Sequence, residues 1–178
     1  MRKKAGKTGK AKASRKRKRS TVKDLSAKKT SRVGDVSKTE QLYGTWRLVS
    51  WTRQIVETGE TATPFGKAPT GFLSYSPDGR MLGFMVSDHR PRPSDLATVS
   101  DQERVELFNT VVAMGGTFEV VGSQVMHKLD ISWNEAWTGT TQRRNFRIDG
   151  SRLTIQVSPQ IGVDGRRSTA ILIWDKVR

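Results

Sequence analysis

After residue 40 the chain alternates apolar and polar positions with a period of two, broken at short intervals by Gly, Pro, Asn and Asp. Gly44-Thr45-Trp46-Arg47-Leu48-Val49-Ser50-Trp51 is rich in aromatic and β-branched types and predicts an opening strand. A loop with Gly59, Pro64, Gly66 and Pro69 follows, then a second strand, Gly71-Phe72-Leu73-Ser74-Tyr75. Ser76-Pro77-Asp78-Gly79 predicts a tight turn, since Pro pre-sets φ near about −65° and Gly tolerates positive φ. Arg80 to Ser87 completes a hairpin, and prolines at 91 and 93 end the pattern. Ser100-Asp101-Gln102-Glu103 is a capping box, in which hydroxyl and carboxylate satisfy the first free N–H groups of a helix. Val105, Phe108 and Val112 recur at helical spacing, flanked by Val111 and Met114. They predict a helix over 101–114 that Gly115-Gly116 would stop.

The rest reads as strands. Thr117–Val121 and Gln124–Trp133 flank Gly122-Ser123, a two-residue hairpin signal. Gly139–Asp149 and Arg152–Ser158 flank Gly150-Ser151, the same signal, and Ser168–Lys176 closes the chain after a turn at Asp164-Gly165. Hairpins in series with one helix predict an all-β meander over 41–178. Closing it into an up-and-down antiparallel barrel of about eight strands removes its exposed edges. Such a barrel is either filled by its own side chains or holds one small ligand.

Parity assigns the inside. In 139–149 the apolar-bearing set is Thr140, Gln142, Arg144, Phe146 and Ile148, which puts Gln142 and Arg144 indoors. In 124–133 the inward set is Val125, His127, Leu129, Ile131 and Trp133. Trp46 and Trp174 also fit inward positions. Trp51 has outward parity if Trp46 is in, and Trp137 lies near a strand start. The Trp residues serve either core and rim packing or an aromatic cavity.

Leu42-Tyr43-Gly44-Thr45-Trp46-Arg47-Leu48-Val49-Ser50-Trp51 resembles the opening strand of the bacterial and fungal lipocalin-like domain. Pro64-Phe65-Gly66 and Pro69 to Met81 resemble its second hairpin. Gly116-Thr117-Phe118-Glu119-Val120, Val125-x-His127, Gly139-Thr140, Arg144-x-Phe146, Leu153-Thr154-Ile155 and Leu172-Ile173-Trp174 follow in family order. The resemblance covers 41–178 and implies a calycin-type barrel with a central cavity. The chain departs from the family pattern in two places: its closing Trp-Glu-Arg is Trp174-Asp175-Lys176 here, and an aromatic common before its Gly-x-Tyr strand is Met114, with the Tyr itself Phe118.

Composition adds a second region. The chain has 178 residues and a formal net charge of +15. Residues 1–40 carry a net +13 and the remainder +2, and all five Trp, both Tyr and all six Phe lie after residue 40. Residues 1–40 therefore read as a disordered basic arm, densest at Arg15-Lys16-Arg17-Lys18-Arg19. That arm would hold DNA, RNA or an acidic membrane surface without sequence preference. The absence of Cys excludes disulfide scaffolds, thiolate metal sites and Cys nucleophiles. No apolar run reaches a membrane span or follows the basic start as a signal peptide, so the expected location is cytoplasmic.

The candidate ligand-binding set is Trp46, Tyr75, His127, Trp133, Gln142 and Arg144, with no cofactor and no metal expected. A buried Arg must be paired, stacked on a ring or turned to a ligand. Arg144 is thus either the cation for a carboxylate-bearing molecule or a strut stacked on Trp46. His127 is either an acid/base or ligand anchor, or a neutral core residue bonded to Gln142, Tyr75 or a water. These readings give a small-molecule carrier for an apolar or amphipathic ligand, with the helix closing one mouth. Two alternatives stand beside it. One is a cavity enzyme of isomerase, cyclase or hydratase type using His127 and Arg144. The other is a barrel tethered to a polyanion by the arm. No carboxylates converge inside and no nucleophile elbow occurs. Oligomeric state stays open.

Overall fold

The computed structural model describes residues 38–161 and 165–178. The block Arg15–Arg19, and Asp164 of the expected turn, lie outside them. The elements are β1 (Gly44–Ile55), β2 (Thr61–Ala62), β3 (Thr70–Tyr75), β4 (Arg80–Val86), α1 (Asp101–Asn109), β5 (Val111–Val121), β6 (Gln124–Ser132), β7 (Thr141–Asp149), β8 (Arg152–Val157), β9 (Gln160–Ile161) and β10 (Arg167–Lys176). The sheet order is β2-β1-β3-β4-β5-β6-β7-β8-β10-β9, and β1 also pairs with β10. Eight long staves therefore form a closed antiparallel barrel, with β2 and β9 as short additions at the rim. The two-residue hairpins fall where Gly122 and Gly150 permit them, at φ of 63° and 57°. Among the described residues no helix is long and apolar enough to cross a membrane.

One end is plugged. Leu42, Trp46, Tyr75, Val125, Leu153 and Trp174 are all but fully buried there. A helical turn over 38–42 lies beneath them, and Trp46 Nε1 donates to the Leu42 carbonyl at 2.8 Å. The Lys176 ammonium stands 5.0 Å from the Trp46 ring centroid and also donates to the Gln41 carbonyl. The cation over Trp46 is therefore Lys176, not Arg144, because the strut comes from the end of β10 pairing directly with Trp46.

Three expectations are corrected. The capping box forms as read, but the helix ends at Asn109 with Thr110 as its cap, and Val111 begins a strand that runs straight through Gly115-Gly116. Consecutive β-branched residues at 110–112 favour extended backbone. The glycines are demanded by strand contact rather than by a helix stop: a Cβ on Gly116 would collide with the Lys128 carbonyl oxygen. None of the α1 residues is buried, so its apolar stripe does not enter the core.

The second and third corrections concern parity. Between Leu48 and Ser50 the β1–β10 register slips, leaving Val49 as an extra residue. Trp46 and Leu48 point in before the bulge, and Trp51 and Ile55 turn to the inside after it. Between Gly115 and Gly116 the β5–β6 register slips by one, with Asp130 the extra residue. Ile131, expected inside, is 62% exposed. Each bulge adds a residue to one strand and so inverts the side chains of that strand beyond it; Trp133 lies past the end of β6 at Ser132 and escapes the rule.

Candidate functional site

Above the plug the inner faces of the staves leave a cavity of about 330 Å³, within the range of small-molecule sites. Its wall is aromatic. Trp51 stacks on Phe65 with centroids 4.2 Å apart and planes 21° from parallel. Trp133 meets Trp137 edge-on at 4.8 Å and faces Phe108 at 6.2 Å. Local structure fixes these rings. Asn134 caps a single 3₁₀ turn over Glu135–Trp137, its side chain accepting from the Ala136 N–H, and this seats Trp137. Trp133 Nε1 donates to the Phe108 carbonyl at 3.3 Å, which ties the end of α1 to the cavity rim. Four of the five Trp, at 51, 133, 137 and 174, line the hollow.

Four residues of the expected binding set, His127, Trp133, Gln142 and Arg144, line this cavity together. Tyr75 stands behind His127 in the plug. Trp46 lies beneath, held by Leu42 and Lys176, and does not reach the wall. Gln142 spends its amide N–H on the Thr140 hydroxyl at 3.1 Å.

Arg144 is only 7% exposed. Among the described residues no carboxylate, side-chain hydrogen bond or aromatic face meets its guanidinium. Burial pulls its pKa below the usual arginine range, with Tyr75 acting slightly in the other direction. Arginine stays protonated under such pressure, so a nearly unsolvated cation borders an apolar hollow.

His127 is fully buried, and its Nε2 lies 2.8 Å from the Tyr75 hydroxyl. Burial, and then the charge of Arg144, push His127 down to about 3, so the imidazole is neutral at ordinary pH. Burial pushes the Tyr75 phenol up, with Arg144 pulling partly back, so its proton stays on oxygen. With both groups neutral, hydrogen-bond satisfaction favours one tautomer. If Tyr75 donates to Nε2, the imidazole proton sits on Nδ1 and only that N–H goes without a partner. The other tautomer strands both the phenolic hydrogen and the Nδ1 lone pair, which is costlier in a dry interior. His127 Nδ1 is buried with no partner, and so is Trp174 Nε1.

The polar inventory of the wall is therefore lopsided. His127 Nδ1–H and Trp174 Nε1–H are buried donors with nothing to donate to, and beside them on the wall the Arg144 guanidinium makes no hydrogen bond among the described residues. Val125 pairs with Arg144 and His127 with Gln142, which makes His127 and Arg144 diagonal neighbours, with Cβ atoms roughly 7 Å apart. The site can accept an anionic or acceptor-bearing group at one place and apolar rings or chains elsewhere.

The sequence reading missed Trp51 and Phe65. Trp51 was hidden by the bulge at Val49, which alternation does not reveal. Phe65 comes from the loop before β3, where an aromatic between Pro64 and Gly66 was the available signal; its carbonyl accepts from the Asp88 N–H, fastening that loop to the β4 end. The second histidine, His89, shares its Nδ1 with the Ser87 hydroxyl and Asp88, away from the cavity.

A family model described as the lipocalin-like domain matches residues 43–177. No curated protein matches the chain.

Proposed function

The chain belongs to the lipocalin-like domain family, and from that premise we propose that it binds a small amphipathic molecule carrying an anionic group, of which a carboxylate on an aromatic or aliphatic body is the best fit. The observation that carries this is Arg144: a buried cation without a partner among the described residues, on the wall of an otherwise aromatic cavity. A bound anion would supply the counter-charge that the protein withholds, and in a water-poor site that interaction is strong. His127 Nδ1–H and Trp174 Nε1–H add neutral donors, and Trp51, Phe65, Trp133 and Trp137 take the apolar part.

The same features favour a binder over a cavity enzyme. A histidine held near pKa 3 is a poor general base at neutral pH, and no acid on the wall relays its proton. The test is displacement of an anilinonaphthalene sulfonate probe from the purified protein by a panel of acids, alcohols and amines of matched apolar bodies. Displacement by acids supports the reading. Equal displacement by amines, or no probe uptake, overturns it.

A further inference from the structure

The outer wall of the barrel has one face that breaks the rule of polar-out alternation. Phe72 on β3, Leu82 and Phe84 on β4 and Ile131 on β6 are exposed by 48%, 62%, 56% and 62%. They form one patch. Phe72 pairs with Phe84, Leu82 with Gly115, and Gly115 with Ile131. A Cβ on Gly115 would lie 2.8 Å from Leu82 Cδ2 and 3.0 Å from Ile131 Cγ2, so these two side chains meet over the glycine. Gly83, Ala113 and Gly115 floor a shallow groove between the large residues. The β6 bulge at Asp130 is what turns Ile131 outward onto this face.

Residues 1–37 carry 15 Lys+Arg against 2 Asp+Glu. The described chain begins at Lys38, whose ammonium donates to the Gly122 carbonyl at 2.8 Å. Gly122 is the turn of the β5–β6 hairpin, the same hairpin that presents Gly115 and Ile131. The cationic stretch therefore joins the fold at the opposite end of that hairpin, seven residues along β5 from Gly115 or about 23 Å, a distance within the reach of 37 residues.

We propose that this face docks on an anionic lipid bilayer, with Phe72, Leu82, Phe84 and Ile131 entering the headgroup boundary and the cations of 1–37 meeting the lipid phosphates. The other occupants fit one feature each. The stretch 1–37 offers only scattered Val, Leu and Ala and cannot cover four large apolar side chains. A second copy on this face would bring two segments of net +13 together. A nucleic acid would satisfy the charge and leave the apolar residues in water. An anionic bilayer satisfies both, and reversible membrane binding characteristically needs two such signals. Trp133 lines the groove as well as the cavity, so the docked face is one side chain away from the hollow.

The test is co-sedimentation of the full chain with vesicles of phosphatidylcholine alone and of phosphatidylcholine with phosphatidylglycerol in equal parts. Two variants accompany it: Leu82→Thr with Phe84→Thr, and a chain with all five of Arg15, Lys16, Arg17, Lys18 and Arg19 changed to Gln. Near-ultraviolet circular dichroism verifies the fold, and both threonines suit exposed strand positions. The expected result is binding to the anionic vesicles only, weakened about tenfold or more by either variant. Loss of duplex-DNA binding is expected for the glutamine variant alone. Wild-type protein left in the supernatant would overturn the proposal. So would vesicle binding indifferent to Leu82 and Phe84, which assigns the arm to polyanions in general. A dimer in sedimentation velocity that the threonine pair converts to monomer would assign the face to a second copy.

Discussion

The Tyr75 hydroxyl and His127 Nε2 stand 2.8 Å apart inside the barrel, and that contact decides which imidazole nitrogen carries the proton. A tyrosine that keeps its hydrogen is best satisfied by giving it to the neutral histidine, which then presents Nδ1–H. Long-range nitrogen–proton NMR spectra at neutral pH should show His127 as the Nδ1-protonated tautomer. The Tyr75→Phe protein should lose about 1–2 kcal/mol of stability and bind acids several-fold more weakly, because the tautomer is no longer fixed. A wild-type spectrum with the proton on Nε2 would refute this arrangement.

Stability should fall with acidity well before the carboxylates titrate. His127 titrates near 6.5 in an unfolded chain and at about 3 in the fold. Above the unfolded value both states are neutral and the contribution is flat. As pH falls below it, the unfolded chain takes up a proton that the fold refuses, so the folded state loses up to about 1.4 kcal/mol per pH unit until pH approaches the folded value. Urea midpoints for wild type and His127→Gln between about pH 6.5 and 4.5 isolate this slope, since Gln can still accept from Tyr75 and does not titrate. Parallel slopes in the two proteins would remove His127 as their cause.

Arg144→Met should separate stability from function. The guanidinium is desolvated without compensation, so an apolar side chain of similar length should stabilise the empty protein by about 1–3 kcal/mol. Calorimetry without ligand should show a higher Tm. A lower Tm would mean that the cation is balanced within the barrel after all.

Two glycines test how closely the strands approach. Gly116→Ala drives a methyl group into the Lys128 carbonyl and to within 2.9 Å of Leu129 Cα, both backbone, and should cost several kcal/mol or prevent folding. Gly122→Ala meets nothing within 4 Å and bears only the strain of φ at +63°, about 1 kcal/mol. Chemical denaturation of both variants checks the ranking, and equal losses would contradict it.

The barrel was legible because alternation, capping and hairpin glycines are local signals. Ser100 and Glu103 announced their helix, Gly122 and Gly150 their turns, and parity alone put Arg144 and His127 indoors. What stayed hidden were relations between strands. The extra residues Val49 and Asp130 exist only with respect to β10 and β5, so Trp51 and Ile131 changed faces without any mark in their own segments. Gly115-Gly116 carried a correct message, a constraint on backbone contact, that is indistinguishable in one dimension from a helix stop. The partner of Trp46 was likewise settled by register, which set Lys176 against it.

The central claim is that Arg144 waits for an anion. It is tested most directly by titrating wild type and Arg144→Met with a long-chain carboxylic acid and the matching alcohol, read through the fluorescence of the Trp residues that line the cavity. The predicted result is that wild type prefers the acid by about a hundredfold, and that Arg144→Met erases the preference while still binding the alcohol. Equal affinity of wild type for acid and alcohol, or an unchanged preference in the variant, would contradict it.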